Sequence, residues 1–138
     1  MEPFSNPAVS QAQFSAQINQ DFNHVAHKSQ NFIAGVWRGF HETEKLTVYY
    51  GYQFRLDGTF WARHRIYEER QTVENKIWEG KWKLEGNILT ITGINKDAPN
   101  ELLTIRFQLS EGFKLNYQEG SLSDVYKSMT LNKINSIN

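Results

Sequence analysis

Two hydrophobic periods divide this chain. From about Val9 to Ile33, the apolar residues Phe14, Ile18, Phe22, Val25 and Phe32 recur at spacings of four, four, three and seven. That spacing stacks them on one helical stripe. Gln11, Gln13, Gln17, Asn19, Gln20, Asn23 and Lys28 take the other side. Ser10 offers an N-cap oxygen and Gly35 a stop. The pattern predicts one amphipathic helix over 9–34, behind an irregular tail over 1–8 that carries Pro3 and Pro7.

After Gly35 the period becomes two and stays there. Alternation predicts strands over Val36–Thr43, Val48–Leu56, Thr59–Glu69, Lys76–Leu84, Ile88–Thr92, Leu102–Leu109, Phe113–Tyr117 and Val125–Leu131. Asp57-Gly58 is a two-residue hairpin signal, and Gly86-Asn87, Glu111-Gly112 and Gly120 mark further turns. The third strand is long enough to bend or bulge. Glu68-Glu69-Arg70 and Asn75-Lys76 look like a polar loop, as does Asn95–Asn100 with Pro99 inside it. No helical crossover separates the strands. The expectation is an all-β fold with an N-terminal helix: a single domain in which an eight-stranded antiparallel up-and-down barrel spans 35–132. Closure removes the exposed edges. A flattened sandwich is the rival.

Parity assigns the faces. Inward go Tyr50, Tyr52, Phe54 and Leu56; Phe60, Ala62, His64 and Ile66; Trp78, Gly80, Trp82 and Leu84; Leu89 and Ile91. Leu103, Ile105, Phe107 and Leu109 follow, then Phe113, Leu115, Tyr117, Met129 and Leu131. Arg55, Arg63, Arg65, Glu69, Glu79, Lys81, Lys83 and Arg106 fall outside, as do Trp61 and Tyr67.

Composition narrows the function classes. There is no cysteine, so disulfides, thiol nucleophiles and cysteine-held metals are excluded. Fifteen basic and fifteen acidic side chains cancel, against the basic excess of a nucleic-acid binder. No stretch reaches the ~20 apolar residues of a membrane span, and the N-terminus lacks the basic and apolar regions of a secretory signal. A cytoplasmic protein is expected, with neither nucleic acid nor membrane as partner.

The first strand begins Gly35-Val36-Trp37 directly after a helical segment. Phe54-Arg55-Leu56-Asp57-Gly58-Thr59-Phe60 follows, then Gly80-Lys81-Trp82 and Gly86-Asn87-Ile88-Leu89-Thr90-Ile91. This ordered series resembles the small bacterial lipocalin-like domains of the calycin group, mainly over 33–93. The resemblance implies a barrel plugged at one end by Trp37, open at the other, and often holding a small apolar molecule. The chain departs from that pattern where no arginine follows Arg106 to pack over the Trp, where the disulfide cannot form, and where the leading helix is longer.

The first functional expectation is carriage of a small hydrophobic molecule inside the barrel, lined by Tyr50, Tyr52, Phe54, His64, Trp78, Trp82, Phe107 and Tyr117. No cofactor and no metal are expected. His64 and His41 are the inward polar residues; a structural pairing with a tyrosine hydroxyl is the first reading, a ligand anchor at the wet end of a cavity the second, and a metal site the last. His24 and His27, three apart on the helix, make too small a set for a metal. The second expectation is a protein-interaction or inhibitor module, or a homodimer, using the exterior through Trp61, Tyr67 and the arginines; the N-terminal helix packing against that outer face explains these residues as easily. The third is a cyclase- or decarboxylase-like enzyme with His64 and nearby tyrosines as acid–base groups.

Overall fold

The computed structural model describes residues 31–111 and 113–134, and Ile33–Asn138 form one compact unit. Most of the expected helix, with His24 and His27, lies outside the described residues; 31–33 are helical. Eight strands follow: β1 Gly35–Glu42, β2 Leu46–Phe54, β3 Thr59–Glu68, β4 Gln71–Glu85, β5 Ile88–Asn95, β6 Ala98–Ser110, β7 Lys114–Gly120 and β8 Thr130–Lys133. They form a closed antiparallel barrel in sequence order. The sandwich alternative is thereby set aside.

The interior follows the predicted parity almost throughout. Trp37, Tyr52, Phe54, Phe60, Trp78 and Phe107 are all but fully buried, with Leu89, Ile91, Leu103 and Ile105 packed between them. At one end Trp37 donates its indole N–H to the Ile33 carbonyl at 2.8 Å, and Trp82 donates to the Arg55 carbonyl at 2.8 Å. Lys133 stands opposite Trp37 across the β1–β8 seam.

Two inward assignments are corrected by turn geometry. Four residues, 55–58, lie between β2 and β3, and because the Arg55 N–H bonds the Thr59 carbonyl the turn inside that pair has three residues, not two. The Gly58 N–H bonds the Arg55 carbonyl, Gly58 takes φ 89°, and the Thr59 N–H bonds Asp57 Oδ1 at 2.9 Å. That arrangement is a type I turn with a left-handed closing residue, and it lifts Leu56 out of the strand to 71% exposure. Phe113 likewise occupies a left-handed turn position, φ 62°, and is 60% exposed.

Both expected polar loops are tight turns. Glu69 and Arg70 sit at φ 50° and 71°, the two left-handed positions of a two-residue type I′ turn, so β4 begins at Gln71. A register shift at Ile66/Tyr67 puts a bulge in this hairpin. In the other, Asn95 pairs with Ala98, and Asn95 Oδ1 accepts from the Asp97 N–H at 2.9 Å. Pro99 falls where the β5–β6 register shifts, a place that tolerates a missing N–H. The expected last strand over Val125–Leu131 starts instead at Thr130, because Asp124–Tyr126 form a 3-10 turn that tucks Tyr126 into the barrel.

Candidate functional site

His64 lies at the centre of the barrel, fully buried. Trp78 Nε1 donates to its Nδ1 at 3.0 Å, and Nε2 lies 2.7 Å from the Tyr52 hydroxyl. The Tyr126 ring packs over the imidazole with centroids 4.9 Å apart. Burial, with the Lys76 charge adding to it, holds the His64 pKa down to about 3. Burial also pushes the Tyr52 hydroxyl well above its ordinary range. His64 therefore presents no free nitrogen and Tyr52 no phenolate at neutral pH.

The remaining predicted interior residues divide by depth. Phe54 and Phe107 pack on Tyr52, with centroids 5.6 and 5.7 Å away, and Trp82 meets Phe54 edge-on at 5.9 Å. Tyr50 lies 3.0 Å from His41 Nδ1, toward the other end, which leaves both histidines in tyrosine pairs. Tyr117 is half-buried against Phe107. Tyr52, Phe54, Trp78 and Phe107 leave solvent almost nothing to touch. An eight-stranded barrel is narrow enough to be filled in this way.

The mouth opposite Trp37 carries polar residues that the sequence reading passed over. Tyr126 donates to Glu74 at 2.6 Å; Lys76 pairs with Glu101, which also accepts from Asn95 at 2.8 Å. Lys76 Nζ sits 5.8 Å from the Trp78 ring centre. Alternation held the clue, because 74 and 76 share parity with Trp78, and 101 with Leu103. Together these groups form a hydrogen-bonded and ion-paired cluster beside Trp78.

A second candidate site lies elsewhere, in a depression on the outer face of β1–β3 beside β8. It measures about 920 Å³, and its lining includes Arg38, Phe40, Tyr49, Gly51, Trp61, Arg63 and Arg65. Register explains it: Arg38 pairs with Gly51, and Gly51 with Arg63. One cross-strand row thus reads Arg–Gly–Arg, with a floor that has no side chain. A Cβ added at Gly51 would meet only the Arg38 Cγ, at 3.9 Å. The next row carries Phe40, Tyr49 and Arg65. Tyr49 contacts Phe40 at 5.8 Å and Tyr67 edge-on at 5.6 Å.

The arginines here are held by aromatic groups rather than by carboxylates. The Arg63 guanidinium lies 5.4 Å from the Trp61 ring centre, and Arg65 reaches the Tyr67 hydroxyl at 3.4 Å. The Nε atoms of Arg63 and Arg65 are buried without a hydrogen-bond partner. Among the described residues no carboxylate forms an ion pair with Arg38, Arg63 or Arg65. The sequence reading placed Arg63, Arg65, Trp61 and Tyr67 outside, but Arg38 and Gly51 become visible only once the register is known. No group of three metal-ligating side chains occurs among the described residues, and none of their helices is long and apolar enough to cross a membrane.

The fold and these two faces define a closed eight-stranded antiparallel barrel, of a form consistent with a lipocalin-like architecture. No protein-family model, curated protein or solved structure matches the chain.

Proposed function

We propose that this barrel is a recognition module that binds a protein partner through the outer face of β1–β3. The observation that carries the reading is the row Arg38–Gly51–Arg63, two cations with no carboxylate partner among the described residues, across a floor without a side chain. Phe40, Tyr49 and Trp61 border it. Arginine, tryptophan and tyrosine are the residues that dominate binding energy at protein interfaces. A core filled by its own side chains leaves the exterior as the surface with room for a ligand. The test is affinity capture with the full chain, quantified by mass spectrometry for wild type, Trp61→Ala and Tyr52→Phe. A partner retained by the interior variant and lost by Trp61→Ala supports the reading; equal loss in both, or in neither, sinks it.

A second reading keeps the ligand inside the barrel, among Tyr50, Tyr52, Phe54, His64, Trp78, Trp82, Phe107 and Tyr117. It is favoured by one atom. The Tyr52 oxygen accepts from His64, so its own proton is left to donate, and none of the described residues accepts it. A small apolar molecule with a carbonyl or ether oxygen would satisfy that donor. Native mass spectrometry of freshly purified protein decides. Excess mass that disappears on denaturation favours carriage; a bare mass removes it.

A further inference from the structure

Resting on the reading of the outer face as the recognition surface, we infer that its partner element is an acidic protein segment. One carboxylate of that segment seats over Gly51 between Arg38 and Arg63, and a neighbouring aromatic or apolar side chain lies against Phe40 and Tyr49. Neighbouring strands stand about 4.8 Å apart, so residues two strands away are roughly 10 Å apart at Cα. Long guanidinium stems converge readily over that span, and each offers a planar fork suited to a carboxylate.

Three features select the chemistry. Buried N–H donors cost stability when unsatisfied; Arg63 and Arg65 line this groove, and the Nε of each is buried with no partner among the described residues. An acceptor arriving with the partner would satisfy them. Phe40 is 61% exposed, a large apolar cost in the free protein that a partner side chain would relieve. The positive area is also short. Glu79 pairs with Trp61 on one flank, and Glu42 ends β1 on the other. A phosphate backbone needs a continuous basic track, whereas a single acidic segment fits between two such flanks.

The test uses the full chain, ¹⁵N-labelled, and a synthetic decapeptide alternating Glu with Phe and Tyr. The readouts are the Nε–H resonances of Arg63 and Arg65, the Trp61 indole resonance and the dissociation constant by anisotropy. The expected result is movement of the arginine signals, with binding weakened several-fold between about 50 and 300 mM salt. Gly51→Glu, which places a carboxylate between the arginines, should weaken the peptide by tenfold or more, while Gly51→Ala should not. Unchanged amide dispersion in both variants reports that they fold.

Unmoved arginine resonances overturn the inference. So does peptide binding that survives both Gly51→Glu and the Arg38→Gln/Arg63→Gln double variant. Inorganic phosphate alone giving the same shifts would mean a bare anion site, and equal binding of oligo-dT a nucleic-acid face; either overturns the acidic-segment assignment. A self-association detected by light scattering that Gly51→Glu abolishes would make the occupant a second copy and overturn it too. If Trp61→Ala still abolishes capture of the partner while the arginine variants do not, the outer-face reading survives and only this inference fails.

Discussion

Trp78 donates its indole N–H to Nδ1 of His64 at 3.0 Å. An indole nitrogen can only donate, so Nδ1 is an acceptor and the imidazole proton resides on Nε2. That proton goes to the Tyr52 oxygen 2.7 Å away. The two neighbours therefore specify one tautomer of a neutral ring, and burial enforces it.

Acid should destabilise the protein through this ring. The folded pKa is held down to about 3, and an unfolded histidine titrates near ~6.5. Between those values the unfolded chain binds a proton that the folded chain refuses, so stability is lost as pH falls from about 6.5 toward 3. For one proton the slope approaches about 1.4 kcal/mol per pH unit. Urea midpoints at pH 7, 6, 5 and 4 check it against His64→Gln. Wild type should lose more stability than the variant over that interval, and parallel curves would show that the buried ring is protonated.

Removing the acceptor should strand the donor. Tyr52→Phe deletes only the oxygen and leaves Nε2–H buried without a partner, at a cost of about 1–3 kcal/mol. In a His64→Leu background the same change should cost far less, because the stranded group is gone. A double-mutant cycle from urea unfolding measures the difference. Additive costs would mean the bond contributes nothing.

Two glycines should respond in opposite ways to one methyl. A Cβ at Gly80 would lie 2.0 Å from the Thr92 carbonyl oxygen and 2.5 Å from the Gly93 Cα. These are backbone atoms held in the sheet, so Gly80→Ala should cost roughly 2–4 kcal/mol. Gly51→Ala meets the Arg38 Cγ at an ordinary van der Waals distance, 3.9 Å, and should change stability by no more than ~0.5 kcal/mol. Thermal unfolding of the two variants side by side is sufficient.

The Trp37 plug should divide into a packing part and a hydrogen-bond part. Trp37→Phe keeps most of the ring and loses the donor to Ile33, for about 1 kcal/mol. Trp37→Ala opens the end of the core and should cost about 3–5 kcal/mol. Similar losses in the two variants would mean that the N–H contributes most of the effect.

The strands were legible because alternation is strong where one face is buried. Phe60, Ala62, His64 and Ile66 are all buried, and Trp61, Arg63, Arg65 and Tyr67 between them are not. Turns were legible where their residues carry a left-handed preference, as at Gly86, φ 62°. They failed where the chain departs from that preference. Glu69 and Arg70 adopt a conformation for which Asn-Gly is the usual signal, so a continuous hairpin read as a loop. Leu56 failed for a different reason: a single added turn residue moves it from strand to tip. The charged mouth was missed because Glu74 and Lys76 look like surface residues until their parity with Trp78 is followed. The groove was hidden because Arg38, Gly51 and Arg63 are distant in sequence and meet only through two hairpin registers.

The short last strand has a kinetic consequence. Seven of the eight pairings join strands that follow one another along the chain, and each can form from a local hairpin. The eighth joins Trp37 to Lys133 and Arg38 to Asn132, with nearly the whole barrel between them. That contact bears the largest loop-closure entropy of the fold, and topology of this kind slows folding. With only four residues in β8, few ladder bonds hold this seam. Hydrogen exchange at Arg38 and Asn132 should therefore outpace exchange in the β5–β6 ladder. The barrel should close last, and open first, along the line where its first and last strands meet.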